Sequence, residues 1–122
     1  MPINGKYTPY EKKRVENAIQ YIHEHYTEDI SADGLALEVR IDIKHLQKVI
    51  KKLTGYTVHH YLLKVRIEHS LSELLDFQKS IDLISSKLGF RDHRHFDRVF
   101  KKYIGKTPSQ YRSDIIDKEN HV

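Results

Sequence analysis

The sequence contains no cysteine and no tryptophan, and only three prolines and five glycines are spread over its 122 residues. Without cysteine, the chain cannot form disulfide bonds or thiolate zinc sites. It also lacks an apolar run of about 20 residues, the length that a membrane-spanning helix requires. The first residues, Met1 to Lys6, include no apolar segment of the kind found in secretion signals. These absences predict a cytoplasmic globular protein without a membrane partner.

The signatures of catalysis are missing as well. The sequence has no glycine loop that would cradle a phosphate, no nucleophile motif and no paired-carboxylate site. Nine histidines are present, but no two lie three or four positions apart, the spacing that places two metal ligands on one helix face. We therefore expect no enzymatic activity, no cofactor, no metal site and no small-molecule site in this chain.

The overall composition allows a buried core and mildly favours an anionic partner. Hydrophobic residues make up 39% of the chain and charged residues 31%, and the formal net charge is +4. A modest positive excess is common on ordinary domains, so the positions of the charges, and not their sum, must show whether the chain binds an anionic partner.

The most informative segment runs from Gly89 to Gly105, where side chains segregate at helical spacing. The apolar face comprises Phe96, Val99, Phe100 and Tyr103. The opposite face comprises Arg94, Arg98 and Lys101. Asp92 is suited to cap the first turn, and Gly105 to end the last turn with positive φ. A shorter helix, capped by Ser80, precedes it across Gly89, so the two predict a helix-turn-helix.

The same pattern occurs earlier in the chain. Asp42 is suited to cap a helix that ends at Gly55, and a helix capped by Ser31 precedes it. The apolar face of this first copy comprises Leu46, Val49, Ile50 and Leu53. Its cationic face comprises Lys44, Lys48 and Lys51. An offset of 50 residues aligns the two copies from Asp42 onward, so the sequence predicts an internal repeat of the helix-turn-helix.

Three further helices complete an all-α prediction of about seven helices. Pro9 follows a capping threonine, Thr8, and begins the first helix; Thr57 caps a long central helix through about Asp76 with two apolar stripes; and Pro108 opens the last helix. About 20 residues at a rise of about 1.5 Å each make the central helix about 30 Å long. This length is close to the distance of about 34 to 36 Å between successive major-groove faces on one side of DNA, so we expect the two copies to enter adjacent turns of one duplex. The predicted divisions are an N-terminal arm (1–8), a first helix-turn-helix subdomain (9–56), the linking helix (57–76), a second helix-turn-helix subdomain (77–117) and a polar tail that frays (118–122).

With both copies laid out, the sequence resembles the DNA-binding domain of the AraC/XylS family of bacterial transcription regulators. The second-copy residues that carry the resemblance are Ile81, Ile84, Leu88, Gly89, Phe90, Phe96, Arg98 to Lys102, Gly105, Thr107, Pro108, Tyr111 and Arg112. Those of the first copy are Ile30, Ser31, Leu35, Ala36, Leu46, Lys51, Lys52, Gly55, Tyr61, Arg66 and Ile67. The length and the segment from His45 to Lys48 are similar to short stand-alone members related to MarA and Rob.

The resemblance implies two helix-turn-helix units on a central helix, binding to duplex DNA, activation or repression of transcription, and often contact with RNA polymerase. The sequence departs from the family pattern at several positions. Arg40 and Ile43 stand where glycine and proline are usual, Ser85 where alanine is usual, and His45 and His95 where an aromatic residue is usual. Because about seven residues precede the first helix, we expect either a stand-alone regulator or a fragment of a longer one.

Two groups of side chains are predicted to contact DNA. Base edges are read from the N-terminal half of a recognition helix, where Arg or Lys pairs with guanine and Gln with adenine. The predicted base-reading residues, which match the family's base-reading positions, are Lys44, Gln47, Lys48, His93, Arg94, Asp97 and Arg98. Cations further along the chain are more suited to phosphate. The predicted phosphate-contacting residues are Lys51, Lys52, Lys101, Lys102 and Lys106.

Several alternatives stay open from sequence alone. A cationic face can be an ordinary solvated face, although its recurrence in both copies weakens that interpretation. Asp97 could accept from a cytosine amino group or orient Arg94 or Arg98. Arg98 and Arg112 could pair inside the protein, and Arg66 could serve packing as well as phosphate contact. The alternative function is a protein-interaction module whose outward faces bind an acidic partner such as an RNA polymerase subunit.

Overall fold

The fold was analysed in a computed structural model, which describes residues 9–120 of the chain. The described residues form seven α-helices and no strands, which confirms the all-α prediction. The helices are α1 (Pro9–His25), α2 (Ala32–Val39), α3 (Ile43–Thr54), α4 (Val58–Glu73), α5 (Ile81–Lys87), α6 (His93–Ile104) and α7 (Pro108–Asn120). The predicted N-terminal arm, including Thr8, lies outside the described residues.

The chain divides into two compact units, unit 1 (Met1–Val65) and unit 2 (Arg66–Val122), with the boundary inside α4. In unit 1, α1 packs against both α2 and α3. The core of this unit is aliphatic, and its buried residues are Val15, Ala18, Ile22, Ile30, Leu35, Ala36, Val39, Leu46, Val49, Ile50, Val58, Leu62 and Val65. The first apolar stripe of α4 thus completes the core of unit 1.

In unit 2, α6 packs against α5 on one side and α7 on the other. Aromatic rings form much of this core. The ring of Phe96 lies 5.1 Å from that of Phe90 and 5.6 Å from that of Phe100, between ring centroids, and Phe100 lies 5.6 Å from Tyr111. Edge and tilted contacts at these distances are the favourable arrangements of aromatic pairs.

Local sequence explains where most helices begin. Ser31 and Ser80 are extended, and their hydroxyls accept hydrogen bonds from the backbone N–H groups of Gly34 (3.0 Å) and Leu83 (3.0 Å). The hydroxyl of Thr57 accepts from the backbone N–H of His60 at 3.2 Å. These bonds satisfy N–H groups that a helix leaves unpaired in its first turn, so the predicted caps of α2, α4 and α5 are confirmed.

The structure corrects two helix ends. The central helix ends at Glu73 rather than near Asp76, because turns occupy the following residues. Its 16 residues make a rod of about 24 Å at about 1.5 Å per residue, so the length argument for adjacent major-groove turns no longer holds. The last helix continues to Asn120 through most of the segment that we expected to fray after Asp117.

One predicted core residue is also placed differently. Leu53 was expected on the apolar face of α3, but its side chain is 52% exposed, whereas Leu46, Val49 and Ile50 are buried as predicted. Leu53 lies in the last turn of α3, next to the end of the helix at Thr54.

Candidate nucleic-acid interface

In unit 1, the sequence fixes both ends of α3, and with them the direction of each face. A carboxylate oxygen of Asp42 accepts hydrogen bonds from the backbone N–H groups of Lys44 (3.1 Å) and His45 (3.3 Å). At the other end, Gly55 has a φ of 83°, a left-handed conformation that glycine adopts without steric cost, and its N–H donates to the backbone carbonyl of Lys51 at 2.9 Å. With both ends capped and the apolar face buried, the opposite face of α3 points to solvent.

That outward face holds all the DNA-contacting residues predicted for the first copy. The exposed residues are Lys44, Gln47, Lys48, Lys51 and Lys52. No acidic residue occurs within α3. The four lysines and one glutamine therefore form a surface of a single charge sign, with the glutamine between lysines near the N-terminal half of the helix.

The N-terminal turn of α3 is also in contact with α1. Nε2 of His45 lies 3.0 Å from Oε2 of Glu11, although the ring N–H lacks the alignment of a hydrogen bond. The contact is an ion pair whenever the imidazole is protonated. Glu11 thus places the first turn of α1 directly beside the first turn of α3.

In unit 2, α6 is capped in the same way. A carboxylate oxygen of Asp92 accepts from the backbone N–H of His95 at 2.9 Å, and Gly105 ends the helix with a φ of 92°. The bond from His95 holds the pKa of the Asp92 carboxyl below its ordinary value of 3.8, with help from the N–H of Arg94 and the charges of Arg94 and Arg98. The buried residues of the helix are Phe96, Val99 and Phe100.

The outward face of α6 holds most of the residues predicted for the second copy. The exposed members are His93, Arg94, Arg98, Lys101 and Lys102. Arg98 therefore lies at the surface rather than inside the protein. Asp97 is half-buried on the same helix, between the two arginines in the sequence.

Carboxylates from neighbouring helices pair with two of the predicted residues of unit 2. Nδ1 of His93 lies 3.2 Å from Oδ1 of Asp82 on α5. The half-buried Lys106 forms an ion pair and hydrogen bond with Asp114 on α7. Exposed pairs of this kind contribute about 0 to 1 kcal/mol, so DNA could displace either carboxylate at small cost. Phosphate contact by Lys106 stays a prediction, and a phosphate would have to displace the carboxylate of Asp114 from this lysine.

Arg112, left open by the sequence, has a structural role. Its guanidinium donates hydrogen bonds to the backbone carbonyls of Leu74 (3.0 Å), Lys79 (2.8 Å) and Asp76 (3.1 Å). These three carbonyls belong to the connection between α4 and α5. The side chain therefore holds that connection against the last helix of unit 2.

Arg66 is likewise placed for packing rather than for phosphate contact. It is only 6% exposed, and its guanidinium carbon lies 5.5 Å from the centre of the Phe90 ring. A guanidinium over an aromatic face is a favourable arrangement when the site is desolvated.

A contact between α1 and the turn before α3, made by Arg14, was not predicted from the sequence. Nη1 of Arg14 donates to the backbone carbonyls of Val39 (3.3 Å) and Arg40, and its guanidinium stacks on the Tyr10 ring at 3.9 Å. The bonds join α1 to the turn between α2 and α3, about 25 positions along the chain. No local pattern signals such a contact; only the departure from glycine at Arg40 pointed to this turn.

Two kinds of feature are absent from the described part of the chain. Residues 9–120 contain no group of three or more histidine or carboxylate side chains that could hold a metal ion. Within the same residues, no helix combines the length and apolar character needed to cross a membrane.

The sequence and the fold were then compared with known proteins. A family model described as a helix-turn-helix domain matches residues 35–114, more than half of the chain. The Msm operon regulatory protein of Streptococcus mutans is 32% identical over 104 residues, which are 85% of this chain and 37% of that protein. The chain spans between 14% and 58% of the length of the first curated relatives that it matches.

Solved structures show the same arrangement of helices. The C-terminal domain of AraT, a response regulator from Geobacillus stearothermophilus, superimposes with a TM-score of 0.78 at 29% identity, over 90% of this chain and 88% of that one. The DNA-binding domain of AdpA, a global transcriptional factor in complex with a target DNA, gives a TM-score of 0.81 over 89% of this chain and 98% of that one. At 19% identity, the AdpA match supports the fold alone. The family model, supported by the AraT match, confirms the resemblance: the chain belongs to the AraC-type helix-turn-helix family of DNA-binding transcription regulators.

Proposed function

We propose that this chain binds duplex DNA sequence-specifically by placing α3 and α6 in the major groove, and that it regulates transcription from the bound site. The observation that carries the proposal is the capped amphipathic helix present once in each unit, with its apolar face buried and its cationic face exposed. An α-helix fits the major groove, where base edges present distinct donor and acceptor patterns.

The proposed roles divide along each helix. Residues in the N-terminal half reach base edges, because a recognition helix contacts bases from that end. In unit 1 the proposed base-reading residues are Lys44, Gln47 and Lys48. In unit 2 they are His93, Arg94, Asp97 and Arg98. The proposed phosphate-contacting residues are Lys51, Lys52, Lys101, Lys102 and Lys106, which position the protein without reading sequence.

The proposal extends to partners and location. A regulator of this kind acts in the cytoplasm, where bacterial DNA is found, and requires no catalytic group or cofactor of its own. Contact with RNA polymerase would follow if the bound chain activates transcription. The competing function, a module whose faces bind only an acidic protein, has less support, because the glutamine and histidine interspersed among the cations suit base edges.

Salt dependence tests DNA binding directly. If the two faces neutralise about 6 to 10 phosphates, the affinity for duplex DNA should fall by about 10³ to 10⁵ between 50 and 200 mM salt. Flat salt dependence, or no binding to any duplex, would favour the protein-interaction module. Selection from a random duplex pool should then return a preferred site, and the length of that site reports whether one or both helices read bases.

Matched variants test the division of roles. Lys48→Ala and Arg98→Ala should each relax base preference at one position, with a loss of about 1 to 3 kcal/mol against the preferred sequence. Lys102→Ala should weaken selected and random duplexes by the same factor. Identical behaviour of the three variants would show that the assignment of roles along the helices is wrong.

A further inference from the structure

A groove in unit 1 combines several cations beside the recognition helix, and nothing in the roles above uses it. It lies between α1 and the turn that joins α2 to α3, with a volume of about 430 Å³. Its cationic lining residues are Lys13, Arg14 and Arg40, and Glu38 is the one acidic residue among the described residues that line it. Three positive charges against one negative charge make the groove attractive to an anion.

The turn that lines this groove leads directly into the N-terminal end of α3, the end that would enter the major groove. Arg40 precedes the cap residue Asp42 by two positions, and the contact between Glu11 and His45 places the first turn of α1 beside the first turn of α3. In a helix-turn-helix, the first helix of the motif, which here is α2, crosses the DNA backbone. An anion bound in this groove would therefore flank the bases read by Lys44 and Gln47.

Arg40 provides an independent observation. Its φ of 61° and ψ of 46° are left-handed, and it is the one residue other than glycine with a positive φ among residues 9–120. The corresponding turn of unit 2 has Gly89, with a φ of 98°, and glycine adopts that conformation without strain. A strained residue where glycine would fit better is grounds for a functional hypothesis.

The surrounding contacts hold the strained backbone in place and leave the Arg40 side chain exposed. Arg14 donates to the carbonyls of Val39 and Arg40, so the turn is fixed from the side of α1. The Arg40 side chain itself is exposed, as is that of Lys13. Arg40 and Lys13 thus present two cations from different elements, on a turn that cannot easily rearrange.

We propose that the groove formed by α1 and the α2–α3 turn is a second anion site, in which Lys13 and Arg40 hold a phosphate of the DNA backbone next to the first recognition helix. This inference rests on the proposed function, since it needs the N-terminal end of α3 to face DNA. It adds a sequence-independent contact, because a phosphate carries no base information.

Substitutions at Arg40 separate charge from strain. Arg40→Asn and Arg40→Gly remove the charge and place residues that accept a positive φ, so the melting temperature should rise while duplex affinity falls about threefold to tenfold. Arg40→Lys keeps both charge and strain and should retain most of the affinity. If the charge of Arg40 serves only the C-terminal end of α2, Arg40→Asn will leave DNA affinity unchanged and the proposal is wrong.

Lys13 and Lys12 form a matched pair for a second test that does not depend on the turn. Both are exposed on α1, but Lys13 lines the groove and Lys12 does not. Lys13→Gln should weaken binding to a selected duplex and to a random duplex by the same factor. It should also make the negative slope of log affinity against log salt less steep by about 0.9, the value expected for one lost phosphate contact. Lys12→Gln should change neither quantity by as much.

The outcomes distinguish this inference from the proposed function. If the wild-type chain binds no duplex, both are overturned. If it binds with a steep salt slope, and Lys48→Ala relaxes base preference, but Lys13→Gln behaves like Lys12→Gln, only the second anion site is overturned. Equal losses for both lysine variants would show a diffuse effect of net charge and would also overturn it.

Discussion

In unit 1 the recognition helix carries four lysines and no acid, although Glu11 of α1 contacts its half-buried His45. In unit 2, Asp97 lies on the recognition helix itself, Asp82 pairs with His93 in the first turn, and Asp114 pairs with Lys106 just past the last turn. The two faces therefore share a pattern, but the face of unit 1 has the larger net positive charge because the face of unit 2 includes an acid. On the proposed function, unit 1 should supply more of the salt-dependent affinity, and unit 2 should depend more on specific contacts.

The supporting cores differ in a parallel way. Leu46, Val49 and Ile50 bury aliphatic side chains behind α3, whereas Phe96 and Phe100 bury aromatic rings in edge contact behind α6. Rings bury more area per residue than branched aliphatic side chains do. A repeated sequence pattern thus specifies the same helix geometry with two different packing solutions.

The largest predicted effect tests this packing difference. Phe96→Ala should lower the free energy of unfolding by about 3 to 5 kcal/mol, and Leu46→Ala by about 2 to 5 kcal/mol, because each removes a side chain that is fully buried. Urea unfolding followed by circular dichroism measures both. Leu53→Ala, at a site that is 52% exposed, is the control. A cost for Phe96→Ala no greater than that of the control would show that the aromatic cluster is not the core of unit 2.

A smaller effect tests how Arg112 of unit 2 holds the connection between α4 and α5. Arg112→Ala removes the donors to three backbone carbonyls and should cost about 1 to 3 kcal/mol, with Arg112→Lys recovering only part because an ammonium cannot reproduce the guanidinium fork. Hydrogen exchange should speed up in residues 74–80. The exposed Arg91 offers a control, since substitution of such a residue usually changes stability by less than about 0.5 kcal/mol. Unchanged exchange in the connection would contradict the role of Arg112.

Much of this architecture could be predicted from local sequence. The ends of the recognition helices are fixed by bonds that span only a few residues, made by the caps Asp42, Asp92, Gly55 and Gly105. Helical spacing then decides which face of each helix is buried. The exposed cations follow directly from those two facts. A single sequence suffices for such features because every interaction involved is short-range.

Long-range contacts were not predictable in the same way. Arg14 bonds to carbonyls 25 and 26 positions away, and Arg112 to carbonyls more than 30 positions away, and neither leaves a periodic trace in the sequence. The exposure of Leu53 and the pairing of Lys106 with Asp114 also depend on which helices pack nearby. Local spacing gives the faces of a helix, but the neighbours that cover each face come from the whole fold.

The smallest effect concerns the cap of α6 and its dependence on pH. Because the bond from the His95 N–H and the nearby arginines lower the pKa of Asp92 in the fold, the ionised carboxylate stabilises the helix. This stabilisation is fully present above the unfolded-state pKa, 3.8, and is lost as the pH falls through the lower folded-state pKa. Asp92→Asn keeps a side chain that can cap the helix but cannot ionise.

The wild type should therefore melt at a higher temperature than Asp92→Asn at pH 6, and the difference should shrink as the pH falls through the lowered folded-state pKa of Asp92. Glu73, whose pKa is lowered by its hydrogen bond from Lys79, titrates in the same acid range, but it does so in both proteins and cancels in the difference. High salt should reduce the gap at pH 6, because the arginine charges are exposed and screened. A gap that stays constant from pH 6 to pH 2 would mean that the cap of α6 works through hydrogen-bond geometry alone, without a contribution from the charge of Asp92.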